Sequence, residues 1–377
     1  MAYLFSKLVL RGAMVATLGI GGLITATVFA GPASADDGFG RVKPVKINEK
    51  RAVLGKRLFF DARLSGDASI SCASCHIPEK GFANNLELSD AYPGSKHFRN
   101  TPTLINTAHR AAWFHDGRLG TNLNDVTRES LTEDYMMNMD MRLMQERVKQ
   151  DPVYVKMFKD AGYGEPSNGS IRKAIPEFLN TLISRGSAYD KGSMSASAKR
   201  GFKLFKGKAA CASCHTGSRF TDDQPHNTAV PNNPRIWSEP LRHMTYVAFA
   251  GFMGVENYMN IRRDVGAQIR WHKADGSDVG KFMTAGLRDL KQTAPYMHNG
   301  MIKTLKDVVA FYNKGGGTDV NKDARLKPLG LSKSEQADLV AFLEALSGDK
   351  LTGPEFVWDK KFPTTYDVIA DWRNTRN

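Results

Sequence analysis

Cysteine is scarce in this chain, with four residues in 377. All four fall in two identical pentapeptides, Cys-Ala-Ser-Cys-His, at residues 72–76 and 211–215, so none is left over for another role. Long apolar runs are also scarce, and only residues 13–29 are apolar over a stretch long enough to be weighed as a membrane span. Alternating strand patterns are sparse as well. These shortages exclude a multi-span membrane protein and favour a mostly helical fold.

The repeated pentapeptide is the attachment motif of c-type haem, in which two thiols form thioethers with the haem vinyl groups and the histidine ligates the iron. A zinc site built from two Cys-x-x-Cys knuckles is an alternative, and so is a pair of redox dithiols. Both alternatives leave the two histidines without a role. The sequence therefore predicts two covalently bound c-type haems, held by Cys72, Cys75 and His76 and by Cys211, Cys214 and His215.

The N-terminus has the layout of a secretory signal peptide. Lys7 and Arg11 precede the apolar stretch, and small residues at 33–35 offer a cleavage site. Haem attachment of this type takes place outside the cytoplasm, so we expect a signal peptide over residues 1–35 and a periplasmic protein. A retained membrane anchor is the alternative.

The formal net charge is +13. An excess of positive charge on an exported redox protein indicates docking with an acidic electron donor, although a merely basic solvated surface explains it equally well. Nucleic-acid binding is not expected, because the basic residues are scattered and the compartment is wrong.

The two halves of the chain repeat each other beyond the cysteine motifs. Amphipathic helix patterns precede both motifs, at residues 55–60 and 201–206. Downstream, Trp-Phe-His-Asp-Gly-Arg at 113–118 is echoed by Tyr-Met-His-Asn-Gly-Met at 296–301. The motifs lie 139 positions apart but the histidines of the echo lie 183 apart, so the second copy carries about 44 extra residues, which the stretch 224–277 can supply. Two related haem units in one chain are the simplest interpretation.

Helix patterns cover residues 141–158 and 332–346. The second opens with Ser332 three positions before Glu335, which predicts a capping box. The glycines at 315–317 predict the end of a helix that holds Val308.

Residues 45–347 resemble the bacterial di-haem cytochrome c peroxidases and their relative MauG, which completes a quinone cofactor inside methylamine dehydrogenase. The resemblance rests on both haem motifs and on residues 99–104, 114–118, 293–300 and 310–312. It implies one haem in each of two cytochrome c-like domains, a reactive N-terminal haem, an electron-relaying C-terminal haem and a calcium ion between them. We expect a signal peptide at 1–35, the two domains at 36–190 and 191–348, and a C-terminal extension at 349–377.

The resemblance also implies ligands. Tyr312 lies fourteen residues after His298, where typical peroxidases have an axial methionine and MauG-like members a tyrosine. A tyrosinate there would stabilise ferric iron, whereas a tyrosine packed in the core is the alternative. For calcium, the implied ligands are the side chain of Asn100 and the backbone carbonyls of Thr293 and Pro295. Ordinary loop caps would account for the same residues.

Two positions depart from the family pattern. His115 stands where the family has a tryptophan between the haems, and an imidazole can move a proton or ligate iron but carries an electron hole poorly. Tyr135 falls where the family has its distal catalytic glutamate, and a phenol with a pKa of about 10 is a reluctant base. A small shift of register would bring Glu133 or Asp134 into that role. Alternatively, Tyr135 caps the N-terminal iron and closes the site. His97, displaced from the position of a histidine that blocks many resting peroxidases, is expected on the surface.

The sequence thus predicts an oxidoreductase that reduces hydrogen peroxide with electrons from a small c-type cytochrome or cupredoxin. Two rivals remain: MauG-like oxidation of residues in a partner protein, and a non-enzymatic electron-transfer or sensor protein with both haems six-coordinate. A homodimer is left open.

Overall fold

The computed structural model describes residues 38–351. The predicted signal segment, residues 1–35, lies outside the described residues, and so do residues 352–377 of the predicted extension. The helices are α1 Glu49–Phe59, α2 Cys72–Cys75, α3 Leu123–Thr132, α4 Met141–Lys149, α5 Pro152–Asp160, α6 Asn168–Leu179, α7 Ala196–Lys206, α8 Arg235–Ser238, α9 Pro240–Phe252, α10 Gln268–Trp271, α11 Leu305–Asn313 and α12 Lys333–Ala345.

The expectation of a mostly helical fold is confirmed. The two strands named in the described part of the chain are short: β1 (Pro225–His226) pairs antiparallel with β2 (Phe282–Met283). Short 3-10 turns and long loops connect the helices. No helix within residues 38–351 has the length and hydrophobicity of a membrane span.

A close helix pair supports each haem motif, and a glycine permits each approach. A Cβ atom on Gly55 of α1 would lie 1.9 Å from the carbonyl oxygen of Ala174 on α6. A Cβ atom on Gly201 of α7 would lie 2.0 Å from the carbonyl oxygen of Asp338 on α12. Both distances are far below van der Waals contact, so any larger residue would push the helices apart. The internal repeat is therefore a repeat of helix packing as well as of sequence.

The second echo in the sequence is a repeated turn. Isolated β-bridges join Trp113 to Leu119 and Tyr296 to Ile302, at the same spacing. Phe114 and Met297 both adopt positive φ, at 63° and 74°. The two copies therefore share a backbone conformation that few residues other than glycine adopt.

Each repeated unit has its own hydrophobic cluster. The two ends of the described chain are exceptions, because each packs in the cluster of the other unit. One cluster is built mainly on α1, α6 and the segments around the first haem motif, and the other on α7, α11 and α12. Phe39 packs in the second cluster, with its ring 5.1 Å from that of Phe220. Leu351, by contrast, packs in the first. Each end of the described chain thus contacts the unit that is distant in sequence.

One sequence prediction about helices needs correction. The pattern over residues 141–158 forms two helices rather than one, because Pro152 lacks an N–H and takes the first position of α5. Asp151 caps that helix and accepts a hydrogen bond from the Val153 N–H at 2.9 Å. By contrast, the capping box at α12 is confirmed, since Ser332 and Glu335 exchange side-chain to backbone hydrogen bonds.

No helix was predicted in the inserted stretch, residues 224–277. It contains α8, α9 and α10, and Pro240 occupies the first turn of α9. The buried face of α9 carries Tyr246 and Phe249, which form a third cluster with Phe98 and Tyr135. The insertion therefore covers part of the N-terminal unit.

Candidate haem sites and the residues between them

The second haem motif opens onto a cavity of about 350 Å³. Cys211, Cys214 and His215 line it, and so does Tyr312 from α11. Burial raises the pKa of Tyr312 to about 12. An anionic phenolate at that place therefore needs a cation beside it, which ferric iron would supply. The structure brings the predicted ligand and the predicted attachment residues to one cavity.

The two motif histidines are oriented in the same way. His76 Nδ1 lies 3.0 Å from the carbonyl oxygen of Phe82, and His215 Nδ1 lies 2.9 Å from that of Phe220. A carbonyl oxygen only accepts, so Nδ1 carries the proton and the lone pair of Nε2 is left for a metal. Burial lowers the pKa of His76 to about 4 and lowers that of His215. Both imidazoles are therefore neutral, as iron ligation requires.

Two polar groups, the half-buried Arg110 and the buried Trp113, could pair with the carboxylates of bound haem. Arg110 lines the cavity and donates to the carbonyl oxygen of Thr103. Burial and the nearby charge of Arg219 lower the pKa of Arg110 to about 10, so an anion beside it would be stabilising. Trp113 is 4% exposed and its Nε1–H has no partner within residues 38–351. Haem propionates carry negative charge and acceptor oxygens. They would give Arg110 a counter-charge and the Trp113 N–H a hydrogen-bond partner.

His115 lines the same cavity as the second haem motif. Its Nε2 lies 2.9 Å from the carbonyl oxygen of Asn100, so Nε2 donates and Nδ1 keeps a lone pair. Burial, and next the charge of Arg99, lower its pKa to about 4. The residue that replaces the family's tryptophan is therefore a neutral imidazole.

The three residues implied for calcium also lie together. Asn100, Thr293 and Pro295 all line the cavity. The amide nitrogen of the Asn100 side chain donates to the carbonyl oxygen of Leu86 at 2.6 Å, which leaves Oδ1 as the atom that can bind a cation. Asn85 donates to the carbonyl oxygen of Ala294 at 2.6 Å and so links the N-terminal unit to the loop that carries Thr293 and Pro295.

Charged residues are buried between the units. Arg99 is 2% exposed and binds Asp264 through two hydrogen bonds, of 2.6 and 2.8 Å. It also pairs with Asp116, which accepts from Arg118 as well. Burial alone would raise the pKa of Asp264, but the charge and hydrogen bonds of Arg99 lower it to about 2. This network holds both carboxylates ionised at neutral pH.

The segment that carries the candidate distal residues passes beside the first haem motif. Met137 Sδ is 3.8 Å from Cys72 Sγ, which places the chain around residue 137 beside that motif. Tyr135, two residues earlier, is 3% exposed, and its hydroxyl accepts from Arg118 Nη2 at 3.3 Å. Burial raises its pKa further above the usual value. Glu133 is half-buried, and burial, and next Glu129, raise its pKa. Tyr135 is therefore a neutral phenol.

The surface position expected for His97 is wrong. Its ring stacks on Phe98, with centroids 5.0 Å apart, and meets Tyr135 edge-on at 5.3 Å. Its Nδ1 accepts from the Arg99 N–H at 3.0 Å, so Nε2 carries the proton in the neutral ring. This is the opposite tautomer from that of His76. The local sequence does not indicate this position, because Tyr135 lies 38 positions further along the chain.

Two residues of this region, Glu129 and Asp264, were not predicted from the sequence. Glu129 accepts from Arg118 Nε at 2.6 Å. A signal for it existed, because it lies as far after His115 as Tyr312 lies after His298. Asp264 had no such signal, since its partner Arg99 is 165 positions away.

Two Cys-x-x-Cys-His motifs with oriented histidines, on a mostly helical and duplicated fold, define a di-haem c-type protein. A family profile described as di-haem cytochrome c peroxidase matches residues 49–198. The chain is 45% identical over 353 residues to cytochrome-c peroxidase IdrP2 of Pseudomonas sp. (strain SCT), covering 90% of this chain and 94% of that one. The match to the methylamine utilization protein MauG of Methylorubrum extorquens is 33% over 311 residues, 80% of each chain.

Solved structures show the same architecture. A MauG-like protein associated with microbial copper homeostasis superposes with a TM-score of 0.71 at 25% identity, covering 85% of this chain and 96% of that one. The di-haem peroxidase BthA of Burkholderia thailandensis gives 0.66 at 25% identity, with coverage of 83% and 91%. The chain belongs to the di-haem cytochrome c peroxidase family, a family of oxidoreductases that carry two c-type haems.

Proposed function

We propose that this protein reduces hydrogen peroxide to water with electrons from a small redox protein. Each peroxide takes two electrons and two protons and gives two water molecules. Haem iron supplies the electron chemistry when bound, and the chain supplies attachment, orientation and proton delivery. The observation that carries the proposal is a difference between two otherwise repeated units. The C-terminal cavity holds Tyr312, whereas the matching end of α3 carries Glu129 and Ser130, neither of which is an ordinary haem ligand.

An electron donor would bind at the C-terminal unit. Arg325 and Lys327 are exposed and line the cavity of the second haem motif, and the Arg325 side chain donates to the carbonyl oxygen of Ser213 inside that motif. An acidic cytochrome or cupredoxin fits this basic rim. The rate of electron entry should fall as ionic strength rises. A rate that is independent of salt between low and high ionic strength would remove the electrostatic part of this proposal.

We further propose a calcium ion at Asn100 Oδ1 and the carbonyls of Thr293 and Pro295. Its support is the shared cavity and the amide orientation of Asn100. Metal analysis of the purified haem protein tests it. About one calcium per chain, lost on chelation together with activity and restored by added calcium, is the expected result.

The sequence also supports export. The signal peptide at 1–35, the periplasmic location and the division into domains at 36–190 and 191–348 are proposals that rest on sequence and on c-type haem attachment. Cell fractionation together with the N-terminal sequence of the mature protein tests the first two. Recovery of uncleaved protein in the membrane fraction would indicate an anchor instead.

Steady-state turnover tests the main proposal. The holoprotein, reduced beforehand by one electron per chain, should oxidise a reduced c-type cytochrome or cupredoxin when peroxide is added. Protein made without haem ligation is the control and should be inactive. A holoprotein that carries two haems per chain and shows no turnover with either class of donor would contradict the proposal.

One observation favours a second candidate, the oxidation of residues in a partner protein. Tyr312 lies in the C-terminal cavity, where the family resemblance puts a tyrosine in MauG-like members. Such an enzyme must hold oxidising equivalents without a donor. A changed visible spectrum that persists for minutes after one equivalent of peroxide would support it, and immediate return to the resting spectrum would count against it.

A further inference from the structure

The internal repeat locates a residue that the family pattern does not. Tyr312 lies fourteen residues after His298, and Glu129 lies fourteen residues after His115. The two histidines lie in turns of the same conformation, closed by the bridges Trp113–Leu119 and Tyr296–Ile302. Since Tyr312 lines the cavity of the second haem motif, the repeat predicts that Glu129 faces the first haem.

The position of Glu129 on α3 agrees with this placement. Val126, one turn earlier on the same face, packs in the hydrophobic cluster that Cys72 joins. Glu129 is 8% exposed, whereas its neighbour Arg128 is exposed. Counting from the helix caps, Asn122 and Thr304, would instead match Tyr312 with Ser130. The Ser130 hydroxyl already donates to the carbonyl oxygen of Val126 at 2.9 Å, however, and a serine is a poor proton acceptor.

One arginine connects Glu129 with the residue at the family's catalytic position. Arg118 Nε donates to Glu129 Oε1 at 2.6 Å, and Arg118 Nη2 donates to the Tyr135 hydroxyl at 3.3 Å. Asp116 holds the same guanidinium at 2.8 Å. A carboxylate, an arginine and a phenol thus form one buried group. Arg118 holds Glu129 in place through one carboxylate oxygen, Oε1.

We propose that Glu129 is the distal proton-transfer residue for the N-terminal haem, doing the work that the phenol of Tyr135 does poorly. This rests on the proposed peroxidase function. Glu129 takes a proton from one oxygen of hydrogen peroxide and returns it to the other, so that the O–O bond breaks with release of water. The donor protein supplies two electrons, and two protons from solvent convert the remaining oxygen into the second water. Glu133 is a weaker candidate because it follows the end of α3 and is only half-buried.

Cyanide binding to the ferric holoprotein tests this without any turnover. Hydrogen cyanide binds ferric haem as cyanide after a nearby base has removed its proton. The variant Glu129→Gln keeps an acceptor for Arg118 but is no base. Its association rate constant for cyanide should fall by about 100-fold. The matched variant Glu133→Gln should change the rate by less than about threefold, since it does not remove the proposed base.

Each outcome decides something. An unchanged rate in Glu129→Gln with two haems per chain overturns the proposal, and so does a large loss in Glu133→Gln alone. A slowed Glu129→Gln in a protein that never turns over peroxide keeps the assignment of Glu129 and removes the peroxidase function. Should Glu129→Gln fail to load haem, Glu129→Asp is measured instead. It keeps the charge opposite Arg118 but withdraws the carboxylate by about 1 Å, and a fall of about tenfold or more is then expected, with an unchanged rate again overturning the proposal.

Discussion

At the scale of single residues, the oxygen that faces each haem decides what that haem can do. A phenol buried beside iron serves as a ligand once coordination to the metal has displaced its proton. A carboxylate, by contrast, can take and return a proton at neutral pH. The C-terminal cavity holds Tyr312, and the N-terminal unit buries Glu129 beside a neutral Tyr135. With the two proposals above, the two copies of one fold would divide electron relay from proton chemistry through a small number of substitutions.

Replacing Tyr312 tests the ligand half of this division. Tyr312→Phe should raise the reduction potential of the C-terminal haem by on the order of 0.1 V, because a hard anionic ligand favours ferric iron and axial ligands together span about 0.8 V. The tyrosinate absorption should vanish as well. Spectroelectrochemical titration measures both.

Tyr296→Phe is the matched control for that experiment. Tyr296 lines the same cavity, but its hydroxyl donates to the carbonyl oxygen of Leu290 at 2.9 Å. Its loss should leave the potential and the spectrum as they were. Equal effects of the two variants would show that Tyr312 acts by packing and not by ligation.

The residue scale also shows what a linear sequence can convey. The attachment residues were recognisable because their chemistry depends on a short spacing, and Tyr312 because the family resemblance marks its position. His97 was not, because its burial depends on Phe98, Tyr135 and a helix far along the chain. The internal repeat alone predicts the position of Glu129, whereas the family resemblance points to Tyr135 instead.

At the scale of elements, the repeated turn makes a close contact that glycine permits. Gly300 has a φ of 63°, and a Cβ atom there would lie 2.3 Å from Cα of Glu87 in the N-terminal unit. Gly330 has a φ of 61° with nothing within 4 Å of its Cβ position. Comparing alanine substitutions at Gly330 and Gly300 therefore separates the free-energy cost of the left-handed conformation from that of a steric clash.

Gly330→Ala should lower the free energy of unfolding of the holoprotein by about 1 kcal/mol, from the conformation alone. Gly300→Ala should cost about 3 kcal/mol or more, because the backbone of one unit must also move away from the other. Denaturant unfolding at fixed haem content measures both. Equal losses would mean that the contact at Glu87 relaxes freely.

Helix ends were more predictable than helix bodies. The capping box at Ser332 follows from two residues that contact each other locally. The break at Pro152 was equally local, yet continuous apolar periodicity concealed it. The helix α9 was missed for another reason: its buried residues, Tyr246 and Phe249, pack on the N-terminal unit and not on their own neighbours. The periodicity of apolar residues predicts which face of a helix is buried. Whether the helix is stable depends on the part of the protein that this face packs against.

At the scale of the whole molecule, the units are joined by charge as well as by apolar packing. Arg99 comes from the N-terminal unit, Asp116 from its repeated turn and Asp264 from the insertion in the C-terminal unit, and all three are buried. A buried pair of this kind is weak evidence for stability in itself, but removal of one partner strands the other. No sequence rule pairs positions so far apart, so this link could be found only from the structure.

Removal of one partner gives the last prediction. Asp264→Asn leaves Arg99 without half of its counter-charge and should lower the free energy of unfolding at pH 7 by about 3 kcal/mol. The folded pKa of Asp264 is about 2, below the value of about 3.9 expected in the unfolded chain. Its contribution is therefore complete above about pH 4 and is lost as the pH falls toward 2, to the extent of about 2–3 kcal/mol.

The wild-type protein should thus lose stability more steeply than Asp264→Asn between about pH 4 and pH 2, so that the two curves converge in acid. Asp160→Asn is the control, because Asp160 pairs with Lys156 on the exposed surface and its loss should leave the acid limb unchanged. Urea unfolding of the holoprotein across this pH range measures all three curves. If wild type and Asp264→Asn ran parallel into acid, the buried pair would not hold Asp264 ionised, and the joint between the two units would rest on apolar packing alone.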